Sequence, residues 1–201
     1  MKKALLITPP TELWVREDRC QGPIERNLFA VIRPPLRLAQ AAAILENAGY
    51  QCRINDYPAE KKSWIDFEND LKLFDPDCLF ISTVFKTRSF DFEACRIAKA
   101  HNKNMLTVMK GAPQGDDLNA LQECADLDIF ITREMDASLL DIAAQKDLDK
   151  IKGITYRNNG HIVINPKSPF NKDLDSLPFL ARHLLKNNLY ARPDTGEPMT
   201  V

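Results

Sequence analysis

The sequence predicts a doubly wound α/β fold built on a five-stranded parallel sheet, and three observations predict it. Short apolar runs rich in Ile, Val, Leu, Phe and Cys recur along residues 4–132. Between them lie segments whose apolar positions repeat at three and four, as on one face of a helix. With 201 residues, 44% apolar and 27% charged, the chain suits one globular domain, or one domain with an appendage.

The candidate strands are residues 4–8, 51–55, 78–83, 106–109 and 127–132. Each is four to six residues long with Ile, Val, Leu, Phe or Cys inside, and the continuous apolar runs among them suit strands buried on both faces of a parallel sheet. The first helix carries Leu38, Ala42, Leu45 and Ala48, and Gly49 ends it. The second carries Trp64, Phe67, Leu71 and Phe74, before the stop at Asp75-Pro76-Asp77. Phe90, Ala94, Ile97 and Ala98 mark the third, Leu118, Leu121 and Ala125 a short fourth, and Met135, Leu139, Ile142 and Ala143 the fifth. Successive strand–helix units need right-handed crossovers, which pack helices onto both faces of the sheet.

Past residue 150 the pattern changes. Residues 152–157 and 161–164 flank Asn158-Asn159-Gly160, a hairpin signal. Residues 165–201 hold five of the thirteen prolines and little periodicity beyond 181–189, as expected of an extended connector. The expected division is therefore 1–150 for the α/β domain and 151–201 for hairpin and connector.

Charge and chemistry narrow the function. Twenty-seven basic and 28 acidic residues leave a net charge of −1, with no basic footprint for nucleic acid or an anionic membrane. The apolar run behind Met1-Lys2-Lys3 is too short for a signal peptide and stops at Pro9-Pro10, so a cytoplasmic location is expected. Cysteines 20, 52, 78, 95 and 124 and histidines 101, 161 and 183 share no metal-ligand spacing, and four of the cysteines fall in apolar segments.

In such folds ligands sit outside the carboxyl ends of the strands, where strand order reverses. The first of these loops is long, about 27 residues where two to six are usual. Its Thr8-Pro9-Pro10-Thr11 turn lacks the glycines of a dinucleotide fingerprint. The strand ends lack the acidic cluster of a cation-dependent phospho-acceptor, and no Gly-x-Ser-x-Gly motif is present. What lies at this edge is small and polar: Ser82 and Thr83 end the third strand, Lys110-Gly111-Ala112-Pro113-Gln114 follows the fourth, and Thr132-Arg133-Glu134 follows the fifth. Small residues let a flat, bulky ligand approach backbone, and a Ser hydroxyl directs one hydrogen bond. A simple turn at Gly111-Ala112-Pro113 and a helix cap at Thr132 would leave the same pattern.

Order and spacing of these residues resemble the N-terminal cobalamin-binding domain of B12-dependent radical SAM enzymes. The likeness is carried by Pro9-Pro10, by Pro34-Pro35-Leu36-Arg37-Leu38-Ala39, by Asp56 after the second strand, and by Asp75-Pro76-Asp77 leading to Phe80-Ile81-Ser82-Thr83. Gly111-Ala112-Pro113-Gln114, Glu134, Gly153-Ile154-Thr155-Tyr156-Arg157 and Asp173-Leu174-Asp175-Ser176-Leu177-Pro178 with Arg182 continue it. The sequence departs from the family pattern at Arg37, Ala112 and Arg133, each in place of Gly, at Gln114 in place of His and at Asp136 in place of Glu.

The resemblance implies a flavodoxin-like, cobalamin-binding type of sheet. It also implies cobalamin held without an axial His, with its nucleotide tail beside Ser82 and Gly111 and its corrin across the loops after strands one, three and five. The implied cofactor-binding residues are Thr8, Pro9 and Pro10, then Ser82, Thr83 and Val84, then Gly111, Ala112, Pro113 and Gln114, and lastly Thr132 and Glu134, with no catalytic or metal-ligating residue. The parent chemistry is methyl transfer or related C–C chemistry, in which a radical SAM domain, in cis or in trans, supplies a [4Fe-4S] cluster and S-adenosylmethionine. The Cys-x-x-x-Cys-x-x-Cys motif of that domain is expected after Gly196 to Val201 and is not within these residues. The alternative is a doubly wound domain that has lost its cofactor and serves as an interaction or docking module. An FMN carrier ranks third.

Overall fold

A computed structural model describes residues 1–16, 21–23, 32–111, 116–132, 134–192 and 194–197. The parallel strands are β1 (Lys3–Thr8), β4 (Gln51–Asp56), β5 (Cys78–Ser82), β6 (Leu106–Lys110) and β7 (Ile129–Ile131). They follow the predicted runs, and the fifth is shorter because Thr132 leaves the strand to bond the backbone oxygen of Gly153. Within the long first loop, β2 (Trp14–Arg16) and β3 (Gln21–Pro23) form a small antiparallel pair that the sequence does not announce.

The hairpin strands β8 (Ile154–Asn158) and β9 (His161–Ile164) do not stand apart. Ile131 of β7 faces Ile154 of β8 in an antiparallel ladder, so the sheet continues to seven strands in the order β4-β1-β5-β6-β7-β8-β9. Its hairpin turn is as expected: Asn159 (φ 47°) and Gly160 (φ 84°) both occupy the left-handed region that such turns require.

Among the described residues five helices cover the parallel part: α1 (Leu36–Asn47), α2 (Trp64–Phe74), α3 (Arg88–His101), α4 (Asp116–Glu123) and α5 (Asp136–Ala143). Their buried side chains fall into two clusters, one on each face. Leu38, Ala42 and Leu45 of α1 pack with Leu139 and Ile142 of α5; Phe67 and Leu71 of α2 pack with Ala94 and Cys95 of α3 and Leu121 of α4. Each such Leu, Ile or Phe, fully buried, contributes about 1.5–3 kcal/mol. The alanines at 39, 41, 42 and 43 are all buried and let α1 lie close against the sheet. Ser63 and Asp66 form a reciprocal capping box at the start of α2, and Asp75, in left-handed conformation, ends it before Pro76.

Cys52, Cys78, Cys95 and Cys124 are free and buried, in line with their apolar contexts; Cys20 lies outside the described residues. No helix among the described residues is long and apolar enough to cross a membrane.

The segment after β9 returns across α1. Ala181 N–H donates to the Ala39 carbonyl at 3.1 Å, and Ala181 and Leu185 enter the α1–α5 core. Gly153 (φ 75°) permits this return, because a Cβ there would sit 2.8 Å from Ser168 Cβ. The segment reaches the far edge of the sheet at Tyr190, whose hydroxyl donates to Asp56 Oδ2 at the end of β4 (3.0 Å).

Candidate functional site

Neighbours of β1 leave its helix and that of β5 on opposite faces: β4 lies on one side of β1 and β5 on the other. Strand order therefore reverses between β1 and β5, and a crevice opens at their carboxyl ends. Thr8 ends β1 half-buried, with its carbonyl accepting from Tyr57 N–H at 3.2 Å. Pro9 and Pro10 are both buried and shape the exit of the loop.

Across the crevice, Ser82 (9% exposed) ends β5. The Nη1 of Arg37, in the first turn of α1, donates to Ser82 Oγ at 3.3 Å, so a side chain from one bank reaches the other. No side chain caps α1 and its first turn contains no acid, so this cation works against the helix dipole there.

The other predicted polar groups have internal partners. Thr83 Oγ1 donates to Asp91 Oδ2 at 2.7 Å, and Thr87 Oγ1 does so at 3.2 Å. Asp91 is fully buried on α3, so the two hydroxyls hold the turn between β5 and α3 around its carboxylate. Val84, buried, leads into that turn. Thr132 Oγ1 donates to the Gly153 carbonyl at 3.0 Å, tying β7 to β8. Lys110, 8% exposed at the end of β6, donates to the Gly111 carbonyl at 2.6 Å.

Gly111 has a packing reason. A Cβ there would lie 2.6 Å from Phe130 Cζ and 3.0 Å from Thr83 Cγ2, so ring and methyl already fill that space. Ala112, Pro113 and Gln114 lie outside the described residues. Glu134 is exposed and lies on a different feature, a cavity of about 420 Å³ between α1, α5 and the 168–178 segment, lined also by Ile44, Leu140 and Phe170.

Beyond β5, Phe85 is exposed, with the guanidinium of Arg88 4.9 Å from its ring centroid. Arg88 is itself paired with Asp116 of α4. At the opposite end of the edge, burial raises the Tyr190 hydroxyl above its ordinary pKa, and the nearby Asp56 and Glu60 carboxylates add to this. Tyr190 is therefore a neutral donor to Asp56.

The described histidines all lie away from this edge: His101 ends α3 near Asp75, His183 bonds Glu46 at 3.1 Å, and His161 opens β9. Among the described residues no three His, Cys, Asp or Glu side chains are grouped to hold a metal ion. Arg37, Asp91 and Tyr190 are residues at this edge that pattern reading did not select. A signal existed for two of them: Arg37 is a cation in a helix's first turn, and Asp91 shares the apolar stripe of Ala94 and Ala98.

No protein-family model matches the chain. It is 27% identical over 194 residues to an uncharacterized methyltransferase of Pyrococcus horikoshii, a match covering 94% of this chain and 40% of that protein. Among solved structures, the radical S-adenosylmethionine methyltransferase TsrM of Kitasatospora setae, with cobalamin and a [4Fe-4S] cluster bound, matches with a TM-score of 0.62 at 13% identity; the match covers 96% of this chain and 32% of TsrM. TsrM with tryptophan substrate and a SAM analogue bound matches with a TM-score of 0.63 at 12% identity, covering 83% and 30%. The cobalamin-dependent S-adenosylmethionine radical enzyme OxsB, in its apo form, matches at 0.59 and 16%, covering 91% and 24%. At these identities the likeness is one of fold, a mostly parallel α/β sheet, and the chain spans less than half the length of each of these proteins.

Proposed function

We propose that this chain is a cobalamin-binding domain that works with a radical SAM domain, in cis or in trans, in methyl transfer or related C–C chemistry. The observation that carries this reading is the strand-order switch between β1 and β5, with a hydroxyl and a guanidinium, Ser82 and Arg37, meeting across it. Its support from relatives is the same fold in chains described with bound cobalamin or as cobalamin-dependent.

The donor set fits such a cofactor. Cobalamin carries a phosphodiester in its nucleotide tail, and the edge sets the Arg37 guanidinium beside the Ser82 hydroxyl, with Thr8 at the end of β1. When bound, the cofactor supplies a methyl carrier, and the protein binds and orients it. Ser82 and Arg37 would meet the tail in the crevice, while Pro9, Pro10 and the exposed ring of Phe85 would flank the corrin.

The test is to mix the protein with hydroxocobalamin, desalt it, and record the visible spectrum. Retained red colour near one equivalent supports the reading, and colourless protein at high micromolar concentration refutes it.

A docking module without cofactor is the second reading. It is favoured by the internal engagement of the Thr83 and Thr132 hydroxyls and by the filled space beside Gly111. Capture of a defined partner together with an unchanged cobalamin spectrum would establish it.

A further inference from the structure

We propose that the flank formed by α5 and the 168–179 segment is a dimer interface, on which Phe179 of each copy of this chain enters the cavity of the other.

Four exposed large apolar side chains gather on this flank: Leu140 on α5, and Phe170, Leu174 and Phe179 along the segment that returns across α1. Single apolar residues are ordinary on a protein surface, whereas a group of them beside a cavity marks a contact surface. The cavity, of about 420 Å³, is walled by Ile44 of α1, Ala137 and Leu140 of α5, and Leu177 and Pro178 of the returning segment. Phe179 follows that wall directly and is 100% exposed, so an apolar ring and an apolar hole lie side by side. This juxtaposition selects the occupant. A foreign partner needs only a ring or a hole to grip, whereas a two-fold interface needs both on one face, because residue i of one copy meets j of the other and j meets i.

Area and charge agree with a second copy. An interface of ordinary size buries about 800 Å² on each partner. About 65% of a homodimer interface is apolar, which makes roughly 500 Å². Phe170, 66% exposed, and Phe179 present roughly 250–400 Å² between them. Leu174 and Leu140, 69% and 49% exposed, supply the remainder. The rim carries both signs of charge: Lys172 lines the same cavity as Glu134 and Asp136, and Asp173 and Asp175 are exposed beside it. Such a rim can set its cation against the acids of a second copy, and a net charge of −1 adds little repulsion between copies.

The test is sedimentation of the whole chain across a concentration series, with two variants that break the contact from opposite sides. Phe179→Asp removes the ring, and Ala137→Trp fills the hole from an exposed position on α5. Wild type is expected to dimerise in the micromolar range, at about 1–100 µM. Each variant alone is expected to weaken the dimer at least about thirtyfold, the loss that follows truncation of an interface anchor. Mixed together, the two are expected to associate again, since Ala137→Trp keeps its ring and Phe179→Asp keeps an open hole. Wild type that stays monomeric at about 100 µM overturns the proposal and leaves the flank to a different partner. A variant that dimerises as tightly as wild type also overturns it, as does a mixture no more associated than its two parts.

Discussion

Gly111→Ala separates packing from ligand approach at the position where sequence pattern leaves the two open. The added methyl would fall 2.6 Å from Phe130 Cζ and 3.0 Å from Thr83 Cγ2. Phe130 is 2% exposed in the core beneath α3 and α4, and Thr83 is held by its bond to Asp91, so neither neighbour moves without disturbing others. Overpacking of this kind costs about 1–3 kcal/mol. With a urea dependence of about 2 kcal/mol per molar, the unfolding midpoint should fall by roughly 0.5–1.5 M. The assay is urea unfolding followed by circular dichroism, with Phe130→Leu as partner in a double-mutant cycle. Leucine lacks the ring atoms that the methyl would strike, so the pair should show a favourable coupling of about 0.5 kcal/mol or more. Unchanged stability in Gly111→Ala, or additivity with Phe130→Leu, would refute the packing account of Gly111.

Three further outcomes follow from the same structure. Tyr190→Phe removes the hydroxyl donated to buried Asp56 and should cost about 1–3 kcal/mol, with faster proteolysis after residue 180 than in wild type; equal proteolysis would mean that the segment is not anchored there. Asp91→Ala strands the hydroxyls of Thr83 and Thr87 and should cost about 2 kcal/mol or more in urea unfolding, whereas an effect within 0.5 kcal/mol would deny that they brace the β5–α3 turn. Burial pushes the thiols of Cys52 and Cys78 from 9.0 up to about 12 in the folded protein. Their contribution to stability is thus complete below pH 9 and is lost as pH rises toward 12, and buried Tyr57 and Tyr190, also raised, act in the same sense. The urea midpoint should be lower at about pH 10.5 than at pH 8, and an equal or higher midpoint would contradict the assignment.

The parallel sheet was legible because continuous apolar runs and three-four periodicity are local signals, and every strand from β1 to β7 in the parallel set overlaps its expected run. The Asn159-Gly160 turn was legible for the same reason, since left-handed backbone demands those residue types. What the hairpin pairs with was not, because the β7–β8 ladder depends on register between distant segments. The segment after residue 165 shows the composition of an extended connector, yet Ala181, Leu185 and Tyr190 are buried. Three apolar contacts spread over ten residues leave no periodic mark, and the Tyr190–Asp56 bond joins positions 134 apart. At the edge, Ser82 could be placed from its strand end, whereas the partners that occupy Thr83 and Thr132 arise only when α3 and β8 are folded against them.

Hydrogen exchange with and without hydroxocobalamin tests the central claim most directly, because it asks where the cofactor sits as well as whether it binds. Protection is expected in the segments following β1, β5 and β6 and in the first turn of α1 around Arg37. Protection confined to the α1–α5 flank and the 168–178 segment, or none at saturating cofactor, would contradict a cobalamin site at the crevice between β1 and β5.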